Sequence, residues 1–106
     1  MQEITVKELK EKMDAGEDIQ LIDVRQPNEY EFAKIEGAKL IPLAEVLSRM
    51  DEIDETKETV VQCHAGGRSA RAIMALEQAG FKGELKNLRG GISAWSEEID
   101  SSVPKY

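Results

Sequence analysis

The sequence predicts an α/β domain built on a mainly parallel sheet with helices on both faces. Three observations lead there. Short apolar, β-branched runs alternate along the chain with segments of helical periodicity. No Asn-Gly or similar two-residue hairpin signal joins one candidate strand to the next, so crossovers must connect them. The length, 106 residues, suits one domain with a single core, assigned here to residues 1–106.

The elements follow in order. Thr5-Val6-Lys7-Glu8 has the spacing of a capping box, with Leu9 and Met13 on one face of the helix it starts and Gly16 at its end. Ile19 to Val24 reads as a buried strand, stopped by Pro27 and Asn28. Glu29 to Ile35 reads as a short helical turn, and Ala38 to Pro42 as a strand closed by proline. Leu43, Val46, Leu47 and Met50 share a face, which predicts a helix over Leu43 to Met50. Asp51 to Glu58 reads as a solvated acidic loop. Thr59 to Gln62 is a strand, Ser69 to Ala79 a helix rich in small apolar residues, Leu85 to Leu88 a last strand, and Ile92 to Ile99 a last helix after the Gly90-Gly91 turn. Trp95 reads as core, and Ser101 to Tyr106 as a loosely ordered tail.

Composition excludes several classes. The net charge is −7, with 16 acids against 8 bases in residues 1–58 and 5 against 6 in the remainder, so there is no basic footprint for nucleic acid. One cysteine cannot form an internal disulfide, which points to a reducing, cytoplasmic setting. The charged N-terminus does not read as a secretory signal, and no stretch is long and apolar enough to span a membrane.

The chemistry concentrates in Cys63-His64-Ala65-Gly66-Gly67-Arg68-Ser69. In an open α/β sheet, sites form beyond the carboxyl ends of strands, and Cys63 directly follows one. Gly66 and Gly67 let the loop curl so that successive N–H groups point inward, and the next helix adds its positive end. Such a cradle favours thiolate over thiol and predicts an activated Cys63 nucleophile. Arg68 is expected either to bind an anionic substrate or to hold the loop, and Ser69 to cap the helix and donate to sulfur. His64 is tempting as a base, but sequence neighbours in a curled loop often point apart. Arg71 reads as a solvated or rim residue. Asp23 and Arg25 end a neighbouring strand, so they are expected near the mouth. Asp23 should fix loop structure, and Arg25 should pair with Glu29 or another acid.

The loop resembles the C-x-x-G-x-R-S active-site pattern of rhodanese-like sulfurtransferases. Leu21-Ile22-Asp23-Val24-Arg25 with Glu29-Tyr30, Ile35-Glu36-Gly37-Ala38 with Ile41-Pro42-Leu43, and Asn87 to Trp95 after Gly80-Phe81 are similar to its other signatures, in the same order. Ala33 and Lys34 depart from the Gly-His that the family often has before the second. The resemblance implies a five-stranded sheet and a Cys63 persulfide. It takes sulfane sulfur from a small anionic donor such as thiosulfate, or from a protein persulfide, and passes it to a thiophilic acceptor, which can be a protein. It implies no metal and no organic cofactor. The ending Val103 to Tyr106 also resembles the rhodanese domain that closes certain adenylating enzymes.

Two rivals differ in class. Cysteine phosphatases and arsenate reductases of similar architecture space Cys and Arg as C-x5-R, whereas Cys63 and Arg68 give C-x4-R and position 69 is Ser. A catalytically silent docking module usually lacks the cysteine or a recognisable loop.

Overall fold

The computed structural model describes all 106 residues. The chain forms five strands and four α-helices, alternating except between the third and fourth strands: β1 (Glu3–Ile4), α1 (Val6–Asp14), β2 (Ile19–Asp23), α2 (Pro27–Phe32), β3 (Lys39–Leu40), β4 (Glu58–Gln62), α3 (Gly67–Gln78), β5 (Leu85–Leu88) and α4 (Gly91–Glu98). The strands form one sheet in the order β1-β5-β4-β2-β3, and every pairing is parallel. The strand β1 is too short to show periodicity in sequence. It adds Glu3 and Ile4 beside Asn87 and Leu88 at one edge.

Side chains alternate across the sheet as strand geometry demands. Leu21, Val60 and Leu88 face one way, into a core closed by Leu9 of α1 and by Ile92 and Trp95 of α4. Ile22, Val61 and Leu85 face the other way, against Ala72, Ile73 and Leu76 of α3. No helix is long and apolar enough to cross a membrane.

The capping box is formed as expected. The Glu8 amide donates to the Thr5 hydroxyl (3.1 Å) and the Thr5 amide to the Glu8 carboxylate (2.8 Å). The helix expected over Leu43 to Met50 is not formed. Two 3₁₀ turns, Leu43–Glu45 and Met50–Glu52, bracket irregular backbone there. Of its four apolar residues only Val46 is fully buried, and Leu47 is 53% exposed. One anchor is too little burial to support so short a helix.

The tail differs from expectation too. Val103 is buried in the first core, and its carbonyl accepts a 2.6 Å hydrogen bond from the buried Ser96 hydroxyl. That anchor leads the chain on to Tyr106, which lies beside the loop after β4.

Candidate active site

The strand β4 delivers Cys63 to the carboxyl edge of the sheet, and α3 begins four residues later. Cys63 is 1% exposed and packs within the second core. The hollows at the molecular surface lie elsewhere, and Cys63 lines none of them. The sulfur sits in a cradle formed by the Gly66 amide and the Ser69 hydroxyl.

That cradle exists because the loop's carbonyls are drawn outward. The amides of Ile92 and Ser93, in the first turn of α4, donate to the carbonyls of Cys63 (2.9 Å) and His64 (3.1 Å). Gly91 makes this approach possible. It has φ +56°, and a Cβ there would overlap the Cys63 carbonyl oxygen and lie 2.5 Å from that of His64. Gly66 sits at φ +121°, where a side chain is strained, and this turns its N–H towards the Cys63 Sγ at 3.1 Å. The Gly66 carbonyl is held by the Asn87 side-chain amide (3.1 Å) and by the Ala70 amide (3.2 Å). The first amides of α3 have no partner within the helix, as at any helix start, and they face the same region.

Ser69 Oγ lies 3.3 Å from Sγ, 2.6 Å from the Asn87 Oδ1 and 3.1 Å from the Gly66 carbonyl. A hydroxyl has one proton. Beside a thiol, Ser69 can donate to Asn87 while the S–H donates to Ser69. Beside a thiolate, the Ser69 proton must turn to sulfur. Burial pushes the Cys63 thiol up, but hydrogen bonds from the Ser69 hydroxyl and from the amides of Ser69, Gly66 and Ala65 outweigh it, and the thiol lies below its ordinary value.

Arg68 makes its hydrogen bonds to Glu29 and not to the sulfur. The pair is bidentate, with Nη1 to Oε1 at 2.6 Å and Nη2 to Oε2 at 3.0 Å. The Arg68 fork, helped against burial by the Gln26 amide and the Tyr106 hydroxyl, holds the Glu29 carboxyl down at about 2. Ala65 and Gly67 are exposed on the outer rim, and Arg71 is exposed further along α3. The His64 ring makes no hydrogen bond to sulfur. It stacks on Tyr106 with centroids 4.3 Å apart and planes 28° apart.

Asp23 and Arg25 form an ion pair with both residues 0% exposed. Asp23 accepts from the Arg25 amide (3.0 Å), Nε (3.0 Å) and Nη2 (2.7 Å). Arg25 then reaches the carbonyls of Ala33 (2.6 Å) and Glu29 (3.3 Å), tying down the end and middle of α2. Its carboxylate partner is thus Asp23, and it meets Glu29 only through the backbone. Lys34 is exposed, with its ammonium over the Tyr30 ring at 5.1 Å.

The sequence alone did not single out Asn87, Gly91 or Tyr106 as parts of this site. Asn87 and Gly91 do fall in the Asn87-Leu88-Arg89-Gly90-Gly91 run, and its paired glycines were the available signal.

Comparison with known proteins agrees with this architecture. The family model described as Rhodanese-like domain matches residues 5–98. The chain is 37% identical over 98 residues to a putative sulfurtransferase, YtwF, of Bacillus subtilis, covering 92% of this chain and 93% of that protein. It is 36% identical over 105 residues to the probable adenylyltransferase/sulfurtransferase MoeZ of Mycobacterium tuberculosis, covering 97% of this chain and 26% of that protein. The chain spans between about a quarter and two fifths of the length of the longer curated relatives it matches. Among solved structures, a rhodanese-like domain protein from Staphylococcus aureus superposes with a TM-score of 0.84 at 30% identity, over 100% of this chain and 99% of that one. The family match, the five-stranded parallel sheet and the cysteine loop at its carboxyl edge agree: the chain belongs to the rhodanese-like domain family.

Proposed function

We propose that this chain is a sulfurtransferase that carries a sulfane sulfur on Cys63. The observation behind this reading is the buried sulfur at the start of α3. It receives the Gly66 amide at 3.1 Å, lies 3.3 Å from the Ser69 hydroxyl, and belongs to a thiol held below its ordinary value. The relatives named as sulfurtransferases support the same chemistry.

The reaction needs no external redox partner. The Cys63 thiolate attacks the outer sulfur of thiosulfate or the terminal sulfur of a persulfide. The donor's S–S bond breaks, and its electron pair leaves with sulfite or with the donor thiolate. The new Cys63 persulfide carries its negative charge on the outer sulfur, within reach of the inward amides between Ala65 and Ser69. A thiophilic acceptor, cyanide in the assay or a protein thiolate in the cell, then takes that sulfur and leaves the Cys63 thiolate. Arg68 fixes the loop through Glu29, which takes one N–H from each terminal nitrogen, and its remaining N–H groups can meet an anionic donor. Asp23 and Arg25 support it from beneath α2. The chain works in the cytoplasm, where its single thiol stays reduced.

The test is intact mass after incubation with thiosulfate and, separately, with a persulfide donor, each read before and after reductant. Gain of one sulfur atom, removed by reductant and absent in Cys63→Ala, is the expected result. An alkylatable Cys63 that gains sulfur from neither donor would overturn the proposal in favour of a docking module.

A further inference from the structure

Tyr106 belongs to a segment that reads as a loose tail, yet its hydroxyl and one part of its ring are held, although the residue is 45% exposed. Its hydroxyl accepts from Arg25 Nη1 at 2.8 Å and donates to Glu29 Oε2 at 2.8 Å. Its ring stacks on His64 and receives the edge of Phe32 at a centroid distance of 5.9 Å. The buried Val103, held by Ser96, fixes the approach of the chain three residues earlier.

The two hydroxyl contacts complete two hydrogen-bond inventories. Arg25 has five N–H donors. Four go to Asp23 and to the carbonyls of Ala33 and Glu29, and Tyr106 takes the fifth. The Glu29 carboxylate has about four acceptor sites. Arg68 fills two, the Gln26 amide fills one on Oε1, and Tyr106 fills the remaining one on Oε2. Gln26 and Tyr106 therefore fix the plane of the carboxylate from opposite oxygens, and that plane dictates the pose of a bidentate guanidinium.

We infer that Tyr106 is a positioning residue of the sulfur-transfer loop: through Glu29 it sets the pose of Arg68, and through its ring it holds His64 on the rim. The kinetic part of this inference rests on the sulfurtransferase reading. The positional part does not, because the contacts that set the pose of Arg68 are the same whichever anion meets Cys63.

Tyr106→Phe removes the hydroxyl and keeps the ring. Two readouts are compared in the wild type, Tyr106→Phe, Arg68→Ala and the double variant. The first is the ratio of Cys63 alkylation rates by iodoacetate and by iodoacetamide, an anion and a neutral analogue. The second is kcat/KM for thiosulfate. A hydrogen bond to a charged group is worth about tenfold in such a rate. Tyr106→Phe is expected to lower kcat/KM by about tenfold, chiefly through KM, and to lower the alkylation ratio towards that of Arg68→Ala. Its melting temperature should fall by about 4–10 °C, the cost of one acceptor lost to Arg25, and the fold should persist because Val103 keeps its anchor. In the Arg68→Ala background, adding Tyr106→Phe should change neither readout. An unchanged alkylation ratio in Tyr106→Phe, or effects of the two substitutions that simply add, would overturn the inference. A shifted ratio in a protein that accepts no sulfur from any donor would uphold it and reject the sulfurtransferase reading instead.

Discussion

Gly91 is the sharpest point at which to test how the cradle is made. Gly91→Ala introduces two penalties that can be separated. An L-residue in the left-handed region at φ +56° costs about 1–2 kcal/mol. The new Cβ would also press on the Cys63 and His64 carbonyl oxygens, which the next two amides hold at 2.9 and 3.1 Å. Forcing an extra methyl into such a contact costs about 1–3 kcal/mol. Gly16→Ala is the control, because Gly16 sits at φ +70° and an added methyl there would have nothing within 4 Å. It carries the backbone penalty alone.

The two variants are compared with the wild type by thermal unfolding followed by circular dichroism. For a domain of this size each kcal/mol shifts the midpoint by about 4–8 °C. Gly91→Ala should therefore melt roughly 5–20 °C below Gly16→Ala. Iodoacetamide should also alkylate Cys63 more slowly at neutral pH in Gly91→Ala, because displaced carbonyls take the inward amides with them. Equal midpoints, together with an unchanged alkylation rate, would refute the claim that α4 shapes the loop.

Three further outcomes follow from the same geometry. Ser69→Ala removes a hydroxyl that favours the thiolate, so the pH midpoint for thiolate formation, read from ultraviolet absorbance, should rise. Asp23→Ala leaves a fully buried guanidinium without its carboxylate and should cost about 3–5 kcal/mol in urea unfolding, far more than a surface ion pair. Glu29 has a folded pKa of about 2, below its ordinary 4.5, so its contribution is complete above pH 4.5 and fades as pH falls towards 2. The stability gap between wild type and Glu29→Gln, measured by denaturation at several pH values, should be flat above about pH 5 and close across that window.

What the sequence disclosed, and what it hid, divides by the range of the interaction. Thr5 and Glu8 are three residues apart, and their capping box was readable because both partners lie in one helical turn. The loop from Cys63 to Ser69 was readable for the same reason: strand, glycines and helix start are contiguous. The Leu43 to Met50 segment misled because periodicity records which residues are apolar and not whether a surface exists to bury them. Leu47 found none. The hidden contacts are all tertiary. Glu29 and Arg68 are 39 residues apart, and Arg25 and the Tyr106 hydroxyl 81. Asn87 meets Ser69 only because β5 pairs with β4 in the register that sets Asn87 beside Val61. A spacing rule along one chain has no access to that register.

The hidden contacts nevertheless explain the visible loop. A peptide unit has an N–H at one end and a C=O at the other, so turning amides inward requires somewhere outside for the carbonyls to go. Three of the loop carbonyls have a recipient on another element. Those of Cys63 and His64 go to the first turn of α4, and that of Gly66 goes to Asn87 and to the Ala70 amide of α3. The cysteine loop thus has no inward-facing conformation of its own making. The Asn87 to Ser93 stretch holds it open, and this stretch is as much a part of the candidate site as the residues that touch sulfur. It follows that substitutions at Asn87 or Gly91 should depress the reactivity of Cys63 without altering any atom bonded to it, whereas substitutions in the acidic stretch Asp51 to Glu58 should leave that reactivity where it is.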